Sequence, residues 1–130
     1  MAETNEKKVI LAVDDMAVSL TTIRTILQHD YDVRLAKSAA LALEMLKSVK
    51  VDLILLDIEM PEISGLEFVG LLKKNPELNS TPIIFVTSHA NPQFIDQAMA
   101  FEAEGYIVKP FIPDALIKRI KSVLGEATEG

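Results

Sequence analysis

The sequence predicts an α/β fold: a (βα)5 doubly wound five-stranded parallel sheet with helices on both faces. Three observations carry that expectation. Strand-sized apolar segments alternate with segments of helical periodicity, five of each along the chain. The strongest apolar runs are apolar throughout, as strands covered on both faces are, where half-exposed strands would alternate. The chain has 130 residues, the size of one ordinary domain. Strand–helix alternation imposes parallel strands joined by right-handed crossovers. Five units do not close a barrel, which takes eight.

Val9 to Val13 is the first strand, and Leu20, Ile23 and Leu27 share one face of the helix after it. Tyr31 to Ala36 is a weaker strand, expected near a sheet edge, followed by a helix carrying Ala39, Ala42, Leu43 and Leu46. Leu53 to Leu56 is the third strand. Ser64 begins the third helix, and Glu67, three residues on, is placed to close a capping box. Pro82 to Val86 is the fourth strand. Asn91 and Pro92 read as N-cap and first position of the fourth helix, with Ile95, Ala98 and Met99 facing inward. Gly105 to Val108 is the second edge candidate. Pro113 opens the last helix and Gly125 closes it. There Leu116, Ile120, Val123 and Leu124 stand opposite Lys118, Arg119 and Lys121. Residues 1–7 and 126–130 read as tails around one domain, 8–125, without internal repeat or linker.

Composition excludes several function classes. The chain has no cysteine, which removes disulfides, thiolate nucleophiles and zinc-thiolate sites and fits a reducing cytoplasm. Nineteen acidic against 13 basic residues give a net charge of −6, so nucleic acid is not expected as a direct partner. The apolar runs are strand-sized, so no membrane span is expected. Met1 to Lys8 lacks the apolar stretch of a signal peptide. The expectation is a soluble, cytoplasmic domain.

Ligands of an open parallel sheet bind beyond the carboxyl ends of its strands. Asp14 and Asp15 follow the first strand directly, and Asp57 follows the third. If those strands are neighbours, three carboxylates converge. Such crowding of like charge is costly without a cation, and hard oxygen ligands suit Mg2+ with a phosphate completing its shell. Taken alone, Asp14-Asp15 is more often a helix cap. With Asp57 at the matching strand end that plainer reading loses most of its weight. Thr87 and Lys109 end the fourth and fifth strands, and a hydroxyl and an ammonium can both donate to phosphoryl oxygens. His29 and His89 are too far apart to form a metal motif.

Four ordered stretches now matter together: Val13-Asp14-Asp15; Asp57-Ile58-Glu59-Met60-Pro61 with Gly65; Val86-Thr87-Ser88; and Tyr106-Ile107-Val108-Lys109-Pro110-Phe111. In these the chain resembles the receiver domains of two-component response regulators, over about residues 7 to 125. The resemblance implies the flavodoxin-like strand order 2-1-3-4-5, which receivers share with flavodoxin. It implies that Asp57 is the phosphoacceptor. Asp14, Asp15, Asp57 and the backbone carbonyl of Glu59 would hold Mg2+, or Mn2+ in its place, with Asp15 the favoured direct ligand. Lys109 would pair with the phosphoryl group, and the Lys109-Pro110 bond would be cis. Thr87 and Tyr106 would be the switch pair, Ser88 would donate a backbone N–H to the phosphate, and Glu59 and His89 would tune its lifetime.

The implied partners are a sensor histidine kinase or phosphotransfer protein upstream, and a target protein or a second receiver downstream. No enzyme activity is implied beyond assisting its own phosphorylation and dephosphorylation. Receivers commonly carry a glycine near the end of the fourth helix, where this chain has Phe101-Glu102-Ala103, so the ending of that helix stays open. Phe94 and Phe101, seven residues apart, share a side of it and read either as anchors for a partner or as core. Two other classes compete. A haloacid dehalogenase phosphatase wants Asp-x-Asp, and here the order is Asp14-Asp15-Met16. A flavin carrier wants a hydroxyl- and glycine-rich phosphate loop, where Asp14-Asp15 would repel the phosphate.

Overall fold

The structure, a computed structural model, describes residues 7–58, 64–88, 92–100 and 103–126; within 92–100 it describes the side chains of Pro92, Gln93, Asp96, Met99 and Ala100. The strands are β1 (Val9–Val13), β2 (Asp32–Ala36), β3 (Leu53–Leu56), β4 (Ile83–Thr87) and β5 (Gly105–Val108). The helices are α1 (Ala17–Leu27), α2 (Ala39–Leu46), α3 (Gly65–Lys73), α4 (Pro92–Ala100) and α5 (Pro113–Leu124). All strand pairs are parallel, in the order β2-β1-β3-β4-β5.

Successive side chains of a strand point to opposite faces, so the apolar runs feed two cores at once. Leu11, Val13, Ile54, Leu56 and Phe85 pack on one side with Phe68, Val69 and Leu72 of α3 and with Ala39 and Ala42 of α2. Ile10, Ala12, Leu53, Leu55 and Ile84 pack on the other with Leu20, Ile23 and Leu27 of α1 and Leu116 and Ile120 of α5. Every residue of β3 and β4 is buried, which is why those runs never alternate. The sheet edges are β2 and β5, as their weaker patterns predict.

The helix ends follow local chemistry. Ser64 and Glu67 form the expected capping box, Glu67 N–H donating to Ser64 Oγ at 3.2 Å and Ser64 N–H to Glu67 Oε1 at 3.0 Å. Ser38 caps α2 by accepting from Leu41 N–H. Pro113 begins α5, and Gly125 ends it with φ +74°, the left-handed region that favours glycine. Among the described residues no side chain caps α1, whose N-cap is Met16. The Lys109-Pro110 bond is cis.

Two expectations need correction. Met99 does not face inward; it is 45% exposed. Met99 lies in the last turn of α4, where an i+4 position is not held to the core by helix period alone; the side chains of Ile95 and Ala98 lie outside those described. Tyr31 is not part of β2, which begins at Asp32. It is buried in the preceding turn, its hydroxyl donating to Glu126 Oε1 at 2.6 Å.

Candidate functional site

Sheet register builds the site. Val13 of β1 pairs with Leu56 of β3, so the residues that follow, Asp14 and Asp57, emerge side by side. Asp57 N–H donates to Val13 C=O at 3.0 Å and Asp14 N–H to Ala36 C=O at 3.1 Å, which fixes both backbones at the strand ends. Thr87 of β4 pairs with Val108 of β5, and Lys109 N–H donates back to Thr87 C=O at 2.7 Å. Four strands thus deliver one group each to a common spot, with Asp15 beside Asp14.

Ligand oxygens of Asp14, Asp15 and Asp57 all lie within 4.8 Å of one another. Asp14, Asp57 and Thr87 are buried, whereas Asp15 is exposed. Lys109 Nζ sits 2.6 Å from Asp14 Oδ2 and 3.8 Å from Asp57 Oδ2. The other oxygen of Asp14 accepts from Met16 N–H at 2.9 Å, which orients its carboxylate. Three carboxylates against one ammonium leave these four groups with a formal charge of −2. With Asp14 and Asp57 buried, that excess attracts a cation more strongly than at an open surface.

Of the other expected residues, Ser88 is exposed at the rim, and Tyr106 projects outward, 38% exposed, opposite Phe85 in the register. Glu59, His89 and Phe101, and the side chain of Phe94, lie outside the described residues. A groove of about 440 Å3 opens beside the cluster, lined by Met16, Val18, Thr22, Ser88, Lys109 and Phe111. A larger one, about 650 Å3, lies at the opposite end of the sheet against Lys7, Arg24 and Tyr31 and holds none of these groups. Gly65, which the sequence marks only as part of a motif, abuts the Asp57 carbonyl. Its place shortly after Pro61 is visible in the sequence; its contact is not.

Among the described residues no helix is long and apolar enough to cross a membrane. Residues 10–121 match the response regulator receiver domain family. The chain is 34% identical over 121 residues to the polar-differentiation response regulator DivK of Brucella ovis, covering 92% of this chain and 98% of that protein. It is 38% identical over 117 residues to a probable cyclic di-GMP phosphodiesterase of Vibrio cholerae, 88% of this chain but 26% of that protein. The chain therefore spans about a quarter of that relative. Among solved structures, the chemotaxis protein CheY4 of Vibrio cholerae superposes with a TM-score of 0.85 at 31% identity, covering 90% of this chain and 98% of that one. A putative response regulator from Chloroflexus aurantiacus gives 0.88 at 25% identity, covering 93% and 100%. None of these matches supports a haloacid dehalogenase phosphatase. In sequence and in fold the chain belongs to the response regulator receiver domain family, the receiving module of two-component signalling.

Proposed function

We propose that Asp57 is the phosphoacceptor, taking a phosphoryl group from a phosphohistidine of a sensor kinase or phosphotransfer protein. The observation that carries this reading is the buried Asp57 carboxylate set among Asp14, Asp15 and Lys109. An Asp57 oxygen attacks phosphorus, the P–N bond to the donor imidazole breaks, and its electron pair leaves with the imidazole. The carboxylate is already an anion, so no general base is required. Positioning and neutralisation of charge supply the rate.

Three oxygen ligands, two of them buried, suit Mg2+ or Mn2+. Asp14, Asp15, Asp57 and the Glu59 carbonyl would hold the ion, which when bound supplies positive charge to the phosphoryl oxygens. Lys109 supplies a second cation, and the Thr87 hydroxyl and Ser88 N–H donate to the remaining oxygens. By the resemblance to receivers, Glu59 and His89 tune the lifetime of the group.

The product acts by shifting a balance between two conformations. Thr87 turns toward the phosphoryl group, and the outward Tyr106 ring moves into the space released. Phe94, with Phe101, anchors the target or second receiver that reads this state. The working unit is residues 8–125, and the cytoplasm, where kinases present phosphohistidine, is its place of action.

The test is intact mass after acetyl phosphate treatment. A phosphoryl adduct should form with Mg2+, fail to form with chelator, and be absent from Asp57→Asn; an unchanged adduct on that variant would sink the assignment.

A further inference from the structure

The start of α3 lies hard against Asp57 and Ile58. Gly65 N–H donates to Ile58 C=O at 2.8 Å, so the first residue of α3 is bonded to the residue after Asp57. The approach leaves no room for a side chain. A Cβ at position 65 would lie 2.3 Å from the Asp57 carbonyl oxygen and 2.7 Å from Ile58 Cα. Both obstacles are backbone, so neither can rotate away. Restoring an ordinary contact requires α3 or the Asp57–Ile58 segment to retreat by roughly 1 Å.

We infer that Gly65 is a positioning residue for phosphoryl transfer: by lacking a side chain it sets where the Asp57 backbone lies. The inference rests on Asp57 being the acceptor. Asp57 is held from two directions, by its N–H on Val13 C=O and by the contact of its C=O with Gly65. β1 and β3 are locked in the sheet centre, so the clash falls on the Asp57–Ile58 peptide, which lies past the end of β3. A side chain at 65 therefore displaces the attacking carboxylate relative to Asp14 and Lys109, whose backbones stand on other strands. Helix propensity gives no reason for glycine here, since alanine is favoured by about 1 kcal/mol within a helix.

The experiment compares Gly65→Ala with Ser64→Ala, both as the whole chain. Ser64→Ala removes the neighbouring cap and weakens the start of α3 without pressing on Asp57. Each variant is treated with acetyl phosphate and Mg2+ below its melting temperature, and the saturating rate is separated from the concentrations giving half the maximal rate. Gly65→Ala should lose on the order of 10²-fold in saturating rate, the cost of an ångström of misplacement, with half-saturation little changed. Ser64→Ala should lose melting temperature yet stay within about twofold in rate, a change worth only about 0.4 kcal/mol of barrier. Equal rate losses in the two variants, or a wild-type saturating rate in Gly65→Ala, would overturn the inference.

A wild-type protein that takes no adduct would instead overturn the assignment of Asp57, so the two failures are distinguishable. A second reading uses the wild-type protein alone and so survives a variant that does not fold. Hydrogen exchange of the Gly65 amide should slow on adding Mg2+ with beryllofluoride, and by more than the amides of Val69 and Leu72 deeper in α3. Equal slowing along α3, or none, would overturn it.

Discussion

The two ends of the sheet solve opposite problems. At the amino end, polar groups settle one another within the chain. Val9 N–H donates to Asp52 Oδ2 at 2.8 Å, Lys8 Nζ donates to the Leu124 carbonyl, and the Tyr31 hydroxyl donates to Glu126. Each contact ties one chain segment to another. At the carboxyl end, three carboxylates converge, two of them on one ammonium. The first end is complete by itself; the second carries an excess of negative charge that the proposed cation would offset. The stabilising contacts and the proposed site thus stand at opposite ends of the sheet, and charge should separate them experimentally.

The comparison breaks most visibly with Mg2+. An ion that binds only the folded chain stabilises it by about 2.7 kcal/mol at a hundredfold excess over its dissociation constant. Thermal melts with and without Mg2+ should show that gain in the wild-type protein. It should disappear in Asp14→Asn/Asp15→Asn. The same double variant without Mg2+ should melt no lower than wild type, because it relieves crowding of like charge. A Mg2+ gain that persists there would place the ion elsewhere.

Lys109 sharpens the same contrast. Its ammonium lies closer to Asp14 than to Asp57, so it occupies a carboxylate that the proposed cation would share. Lys109→Met should tighten Mg2+ binding about tenfold, or about 1.4 kcal/mol, in a calorimetric titration. Acceptance of phosphoryl from acetyl phosphate should fall in the same variant. Weaker Mg2+ binding would mean that the lysine orders Asp14 for the metal instead of competing with it.

The two ends also differ in how readable they are from sequence. The site is legible because each of its groups directly follows an apolar run, and strand alternation alone brings run ends together. Asp14, Asp57, Thr87 and Lys109 need only the correct neighbours. Gly65 is hidden because a missing side chain carries no chemical signal until the backbone that excludes it is in place. Met99 misleads because a stripe of i, i+3 and i+4 positions says nothing of where the cover over a short helix ends. Tyr31 misleads for another reason: an aromatic before an apolar run looks like strand, and its true partner, Glu126, is 95 residues away. Long-range pairing of a polar atom leaves no local pattern.

That pair supplies the smallest effect and the cleanest control. Tyr31→Phe removes one hydroxyl while keeping the ring in place. Glu126 lies at the molecular surface and recovers water, so the loss should be about 1 kcal/mol, with Mg2+ binding and phosphoryl acceptance unchanged. The pH dependence identifies the cause. Burial, followed by the hydrogen bond to Glu126 and the charges of Glu126 and Asp30, pushes the Tyr31 phenol well above the ordinary 10.0. The folded chain therefore keeps this proton where the unfolded chain gives it up. The contribution is fully present below about pH 10 and drains away as pH climbs above it, because the unfolded state then binds fewer protons. Wild-type stability should fall more steeply than that of Tyr31→Phe above pH 10, and the gap between them should close. Parallel curves through that range would show that the hydroxyl is not protected by folding, and the amino end would lose its claim to be complete by itself.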